Sequence, residues 1–191
     1  RHDEIRSRFS IPQDSLFILA VGRLAARKGN GFLLRSFAKL VESTDANLLI
    51  IGRGGLRRKL IRMAYRLGIG DRVSIESSMN FQEVSEMYRV ADLVVYPSYY
   101  EGQGLIPLEA MSSGTPVVTV NHGPLPEMVD ETVGALFEMG SVESFSEAIV
   151  SESSSKSALL EKGERGRSRV MDKFTLEHNA NDFLDVYKRA I

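Results

Sequence analysis

Short β-branched apolar runs alternate with helix-length segments from residue 16 to residue 137, and this alternation constrains the fold more than any other feature of the chain. Leu16 to Val21, Asn47 to Ile51, Val73 to Glu76, Leu93 to Tyr96, Pro116 to Val120 and Val133 to Phe137 read as strands. Gly29 to Val41, Leu56 to Leu67, Phe81 to Arg89 and Leu105 to Ser113 read as helices between them. Strands separated by helices of about ten residues imply βαβ units, right-handed crossovers and a mostly parallel sheet. The expected fold class is therefore α/β, with a doubly wound, mostly parallel, six-stranded sheet. After Phe137 the pattern becomes helical only, in Glu143 to Ser151, Lys156 to Phe174 and Glu177 to Ala190. Thr175 is placed to cap the last of these. Residues 1–191 are expected to form a single domain, with residues 141–191 as its helical tail.

The composition removes several functional classes. A formal charge of -1 gives no basic field to hold nucleic acid, so no nucleic-acid partner is expected. The absence of cysteine excludes disulfides, thiolate metal sites and a cysteine nucleophile, and suits a reducing compartment, the cytoplasm. There is no Asp-x-Asp, and His2, His122 and His178 are scattered, so no metal site or required cofactor is expected. No apolar run approaches the ~20 residues that span a bilayer. The chain opens in a charged, helix-prone stretch, Asp3 to Phe9, rather than at a methionine or a signal peptide, and is expected to be a piece of a longer protein.

In a parallel sheet the carboxyl ends of all strands share one edge, and ligands of open α/β sheets bind there. The loop after the first strand carries Gly22-Arg23-Leu24 and then Arg27-Lys28-Gly29. Arg23 and Lys28 beside a helix amino terminus form a site suited to phosphate, although two such cations also serve simply to solvate a helix start. The next loops carry Gly52-Arg53-Gly54-Gly55, the segment Pro97 to Gly104, and Asn121-His122-Gly123. Gly102 and Gly104 leave the backbone bare before the Leu105 helix, where Pro107 falls in the first turn. Glu101 in the loop and Glu109 inside the helix offer carboxylates at two depths of one cleft, which suits vicinal hydroxyls of a sugar or ribose; a pair of surface glutamates is the plainer alternative.

Gly22-Arg23-Leu24 with Lys28-Gly29, Pro97 to Leu105, and Leu108-Glu109-Ala110-Met111-Ser112-Ser113-Gly114-Thr115-Pro116 together resemble the donor-binding, carboxyl-terminal domain of retaining glycosyltransferases of the GT-B fold, of the group 1, or family 4, type. The resemblance runs from about Leu16 to the final helix and includes the E-x7-E motif, Glu101 and Glu109. It implies a Rossmann-like domain that binds a nucleotide-diphosphate sugar, a UDP- or GDP-sugar before others, for transfer of a hexosyl group. In that reading Arg23 and Lys28 hold the diphosphate and Glu109 the ribose hydroxyls. Glu101 holds the transferred sugar, and Gly22, Gly102, Gln103, Gly104 and Leu105 line the donor. Glu101, Arg23 and Lys28 would carry the catalytic roles, with diphosphate leaving on the face that the acceptor hydroxyl attacks. The acceptor, a sugar, lipid or glycan, would be bound by an absent amino-terminal domain, so the isolated chain would turn over weakly at most, and the last helix would pack toward that domain. Two departures stand out: Gln103 occupies a position where the family usually has an aromatic residue, and Ser77 that of a frequent glycine.

Other readings have weaker support. Gly52-x-Gly54-x-x-Arg57 with Glu76 imitates a dinucleotide fingerprint but lacks the third glycine, and Gly22 to Lys28 lacks features of a P-loop. Arg57, Arg58, Lys59, Arg62 and Arg66 form a basic helix face, which reads either as a solvated exterior or as contact with anionic lipid at the inner membrane face. Met63, Met79, Met87, Met111 and Met128 read as core filling. A nonhydrolysing nucleotide-sugar epimerase and a noncatalytic nucleotide-binding module are the functional alternatives.

Overall fold

The computed structural model describes residues 1–77 and 79–190, so the expected domain end at Ile191 lies outside the described residues. Its strands are β1 (Leu16–Val21), β2 (Ala46–Ile51), β3 (Val73–Glu76), β4 (Leu93–Tyr96), β5 (Val117–Val120) and β6 (Gly134–Phe137). They form one sheet in the order β3-β2-β1-β4-β5-β6, with every neighbouring pair parallel. The chain builds outward from β1 to β3, returns to place β4 on the other side of β1, and builds outward again. The two halves diverge between β1 and β4, and the crevice at a doubly wound sheet's carboxyl edge opens at such a switch point.

The helices are α1 (His2–Arg8), α2 (Asn30–Leu40), α3 (Arg57–Arg66), α4 (Phe81–Val90), α5 (Leu105–Ser112), α6 (Leu125–Met128), α7 (Val142–Glu152), α8 (Lys156–Lys173) and α9 (Leu176–Ala190). Helices on both faces explain why β2, β4 and β5 are buried along their whole length, as continuous apolar runs require. Phe32 of α2 stacks on Phe137 of β6 at 5.8 Å, and both rings meet the edge of Phe145 in α7. Met87, Met111 and Met128 are buried, and Met63 and Met79 pack against the core, as core-filling methionines should.

At the amino edge of the sheet, buried Arg6 ties α1 down. Its guanidinium donates to the carbonyls of Pro12 (2.8 Å) and Ser15 (2.9 Å) and to Asp92 (2.7 Å), which also accepts the Phe17 N–H. Removing one partner of so enclosed a pair costs about 3–5 kcal/mol.

The structure adds an element that the sequence reading did not assign, α6, which follows the Asn121-His122-Gly123 loop in Pro124-Leu125-Pro126. Both prolines fall at or before the first turn, where their missing N–H groups cost nothing. Burial of Leu125 and Met128 then holds the short helix in place. Pro116 lies just outside β5, although its carbonyl still accepts from Val94 at 3.0 Å. Thr175 caps α9 through the His178 N–H at 3.2 Å, as expected.

Helix α8 clamps the carboxyl half. Gly163 lies so close to α5's end that a Cβ there would come within 2.0 Å of the Gly114 carbonyl oxygen. Arg169 bonds Asp130 at 2.8 and 3.0 Å and the Met128 carbonyl at 3.1 Å. Burial pushes the Asp130 carboxyl up, but hydrogen bonds from Arg169 and Thr132 and the Arg169 charge outweigh it and pull its pKa down to about 2. A depressed carboxyl stabilises the fold above its ordinary unfolded pKa of ~3.9, and that contribution is lost as pH falls through the folded value. Because 40% of the Asp130 side chain is exposed, screening reduces the contribution to about 1 kcal/mol. Thermal melts of Asp130→Asn are expected to lie below wild type at pH 6, with the gap closing as pH falls toward 2; a gap independent of pH would show that the charge contributes nothing.

Candidate functional site

The site begins where the loop after β1 meets the loop after β4. A 3-10 turn, Ala26–Lys28, ends at Gly29, whose φ of +71° is a left-handed conformation. A Cβ on Gly29 would lie 1.9 Å from the Pro97 carbonyl oxygen, so only glycine permits this backbone contact. Tyr99 then donates its N–H to the Arg27 carbonyl at 2.9 Å. With the two loops pinned together, Lys28 and Glu101 are brought into contact, although 73 residues separate them in sequence.

Lys28 Nζ pairs with Glu101 Oε1 and also donates to the Tyr96 hydroxyl at 3.0 Å. Tyr96 donates to the same Glu101 oxygen at 2.6 Å, and so does the Ser98 hydroxyl. The Lys28 and Glu101 side chains are only 13% and 10% exposed. Burial alone would raise the Glu101 pKa, but hydrogen bonds from Lys28, Ser98 and Tyr96 together with the Lys28 charge lower it, so the group is a carboxylate. The Tyr96 hydroxyl is shifted up, first by burial and then by Glu101, and remains a proton donor.

Arg23, in the loop after β1, is exposed, and among the described residues its side chain has no hydrogen-bond partner, while its carbonyl accepts from Asn30 at 3.4 Å. Helix α5 starts at Gly104, with φ +90° and no side-chain cap, so its first N–H groups face a ligand or solvent. A Cβ at Gly104 would meet Leu125 of α6 at 2.8 Å, whereas Gly102 has open space around it. Gln103 and Leu105 are exposed on the same rim. Glu109, in α5, is partly buried and accepts from the Tyr88 hydroxyl of α4 at 2.9 Å. The E-x7-E carboxylates therefore belong to separate clusters, Glu101 with Lys28 and Glu109 with Tyr88.

The glycines after β2 have a structural task. A Cβ on Gly52 would fall 1.8 Å from the Gly22 carbonyl oxygen, and one on Gly54 would fall 2.3 Å from that of Leu24. Leu24 donates to the Arg53 carbonyl at 2.9 Å, so this loop is a buttress for the first one rather than a phosphate cradle. Arg57 reaches back to the Ile75 carbonyl at 2.9 Å, in the place where a dinucleotide fingerprint needs a third glycine. Sequence reasoning did not assign roles to Tyr88, Tyr96 or Ser98. Tyr96 and Ser98 border Pro97 at the end of β4 and were legible by position, but Tyr88 sits on a helix with no motif around it.

A broader concavity runs along α8, lined by Thr132, Glu161, Arg165, Arg169 and Asp172. Its arginines are committed to the Thr132 carbonyl and to Asp130.

The fold defines a class: a doubly wound, Rossmann-like α/β domain with an all-parallel six-stranded sheet. Residues 1–169 match the family of group 1 glycosyl transferases, and the chain belongs to that family. It is 34% identical over 195 residues to a D-inositol 3-phosphate glycosyltransferase of Mycolicibacterium smegmatis, covering 99% of this chain and 44% of that one. It is 30% identical over 190 residues to an uncharacterised glycosyltransferase of Methanocaldococcus jannaschii, covering 97% and 48%. The structure superposes with a TM-score of 0.85 on sucrose-phosphate synthase of Thermosynechococcus elongatus, at 28% identity, over 98% of this chain and 48% of that one. The architecture is that of the GT-B glycosyltransferases, and the chain spans about half the length of the relatives it matches.

Gly29→Ala is expected to separate the two loops, because both the φ and the Pro97 carbonyl oppose it. It should lower stability by about 2 kcal/mol or more, whereas Gly102→Ala should stay within about 0.5 kcal/mol. Urea titration of both variants checks this, and equal stabilities would mean that the loop contact contributes little.

Proposed function

We propose that this chain is the donor-binding half of a retaining glycosyltransferase that takes a nucleotide-diphosphate sugar. The observation that carries this reading is the Lys28–Glu101–Tyr96 cluster at the sheet's switch point, on the same sheet edge as exposed Arg23 of the loop after β1 and the uncapped start of α5. Together these supply two side-chain cations and a helix dipole for a diphosphate, and carboxylates for hydroxyl groups. In this reading Arg23 and Lys28 bind the diphosphate, Glu109 the ribose and Glu101 the transferred hexose, with Gly22, Gly102, Gln103, Gly104 and Leu105 around the donor.

The chemistry that follows is stabilisation of a leaving group. As the glycosidic C–O bond breaks, negative charge grows on the departing diphosphate and positive charge on the sugar. Arg23, Lys28 and the α5 N–H groups meet the first, and carboxylate Glu101 lies beside the second. The acceptor hydroxyl attacks on the face the diphosphate leaves and passes its proton to an oxygen of the departing diphosphate, and no protein nucleophile is required. The protein-borne positive charge makes a metal ion unnecessary in this scheme. The acceptor, a sugar, lipid or glycan, would be held by the remainder of a longer protein. Helix α9, which exposes Leu176, Phe183, Leu184 and Tyr187, offers an apolar face for that remainder.

A second contact has its own observation. Arg58, Lys59, Arg62 and Arg66 of α3 are exposed, and among the described residues none forms an ion pair. A cationic face of this kind suits anionic lipid at the inner face of a cytoplasmic membrane. Retention on phosphatidylserine vesicles at low salt, lost in Arg58→Glu/Arg62→Glu, is the expected result; equal retention of both proteins would count against it.

Calorimetric titration with UDP, GDP, ADP and their sugar conjugates tests the central reading. One diphosphate is expected to bind, with and without EDTA, and Arg23→Ala and Glu109→Ala should each weaken it about tenfold or more. Loss of binding in EDTA would remove the metal-free mechanism. Conversion of a nucleotide sugar to its epimer would favour the epimerase, and nucleotide binding with no transfer by the full-length protein would favour the noncatalytic module.

A further inference from the structure

The two glutamates share a feature that their spacing does not reveal: each is held by a tyrosine hydroxyl through one oxygen only. Among the described residues, the hydrogen bonds to Glu101 from Lys28, Tyr96 and Ser98 all end on Oε1, and none ends on Oε2. Glu109 accepts from Tyr88 on Oε2 at 2.9 Å, and no bond ends on Oε1. Neither Glu101 nor Glu109 has a fully buried oxygen left without a partner, so each free oxygen has access to solvent. The tyrosines come from different elements, Tyr88 from α4 and Tyr96 from the end of β4, and both rings are buried at 3% exposure. A buried phenol that points its hydroxyl at a carboxylate fixes the carboxylate's rotation and tolerates no other tenant.

We propose that Tyr88 and Tyr96 are paired positioning residues that each lock one oxygen of Glu109 and Glu101, leaving the other oxygen of each carboxylate to accept a donor hydroxyl. This rests on the donor-binding reading above and adds to it the residues that determine specificity. The two tyrosines should divide the donor between them, Tyr88 acting through Glu109 on the ribose that every nucleotide carries, and Tyr96 acting through Glu101 on the sugar alone.

Both hydroxyls stay protonated over the working range, since burial first, and the neighbouring glutamates next, push their pKa values up. Each is therefore always a donor, and each carboxylate keeps its free oxygen as an acceptor. Fixing a flexible glutamate in advance spares its rotamer entropy on binding, and a hydrogen bond to a charged group is worth about tenfold in affinity.

The test uses Tyr88→Phe and Tyr96→Phe, which keep the rings and remove only the hydroxyls. The wild-type chain is titrated with UDP, GDP, ADP, UDP-glucose, GDP-mannose and ADP-glucose, and the variants with whichever diphosphate and sugar conjugate bind. Tyr88→Phe is expected to weaken both ligands about tenfold and leave their ratio unchanged. Tyr96→Phe should leave the diphosphate within about twofold and remove about tenfold of the extra affinity that the sugar confers. In the double variant Tyr96→Phe/Glu101→Gln, sugar binding should be no weaker than in Glu101→Gln alone. A purely structural role would lower the melting temperature and weaken both ligands alike in both variants. That pattern, or no change in either variant, would overturn the proposal while leaving the donor-binding reading intact. Equal wild-type affinities for the diphosphate and its sugar conjugate would overturn the role of Tyr96. No binding of any nucleotide by wild type would overturn the donor-binding reading itself.

Discussion

The contact between the Gly29 position and the Pro97 carbonyl sets the geometry of the whole sheet edge. A parallel sheet guarantees that its loops share an edge but not that they touch, because adjacent strands lie ~4.8 Å apart and their loops are free to splay. Here backbone meets backbone, at a distance that leaves no room for a methyl group on Gly29. The same device recurs where Gly52 approaches the Gly22 carbonyl. Loops after β1, β2 and β4 are thereby fused into one rigid rim, and side chains remote in sequence are held within hydrogen-bond distance. Catalytic groups on loops need such support, since a displacement of about 1 Å costs orders of magnitude in rate.

The sequence declared most of this architecture because β1, β2, β4 and β5 are mostly apolar runs and the helices between the strands carry buried apolar residues. The alternation implied a mostly parallel sheet, the observed sheet is parallel throughout, and the element ends were right to within a residue or so. Helix α6 was not legible because its prolines signal a turn, and only burial of Leu125 and Met128 against the core turns the segment into a helix. The candidate site was legible to the extent that charge and glycine mark it: Arg23, Lys28 and Glu101 lie in the loops after β1 and β4, and Glu109 lies in α5. What pattern could not supply was pairing. Nothing in single-sequence spacing joins Lys28 to Glu101 or Tyr88 to Glu109, and nothing separates a glycine with open space around it, such as Gly102, from one that admits another loop, such as Gly52.

Support for the rim extends well away from it. Arg169 of α8 fixes Asp130 and the Met128 carbonyl, which set α6, and α6 in turn presents Leu125 against Gly104 at the start of α5. Helix α8 is therefore continuous, through packed and hydrogen-bonded groups, with the helix start proposed to face the diphosphate.

The pairing of Lys28 with Glu101 also bears on how a polyanion could enter. An ion pair with both side chains almost wholly enclosed has already lost much of its hydration, and removing either charge would strand the other. A diphosphate arriving at Lys28 does not meet a bare ammonium, but one engaged with a carboxylate and a phenol. If Lys28 holds the diphosphate as proposed, binding is an exchange: phosphate oxygen replaces carboxylate as the partner of Lys28, and Glu101 keeps its bonds from Tyr96 and Ser98 on one oxygen and offers the other to hydroxyl groups. The net gain is smaller than a free lysine would give, and what is gained is selectivity. A ligand carrying phosphate alone releases Glu101 without offering it a partner, whereas one carrying phosphate and a hydroxylated sugar satisfies both groups together. A site built in this way discriminates by leaving a buried charge unpaired for the wrong ligand, which is a stronger filter than adding one more contact for the right one.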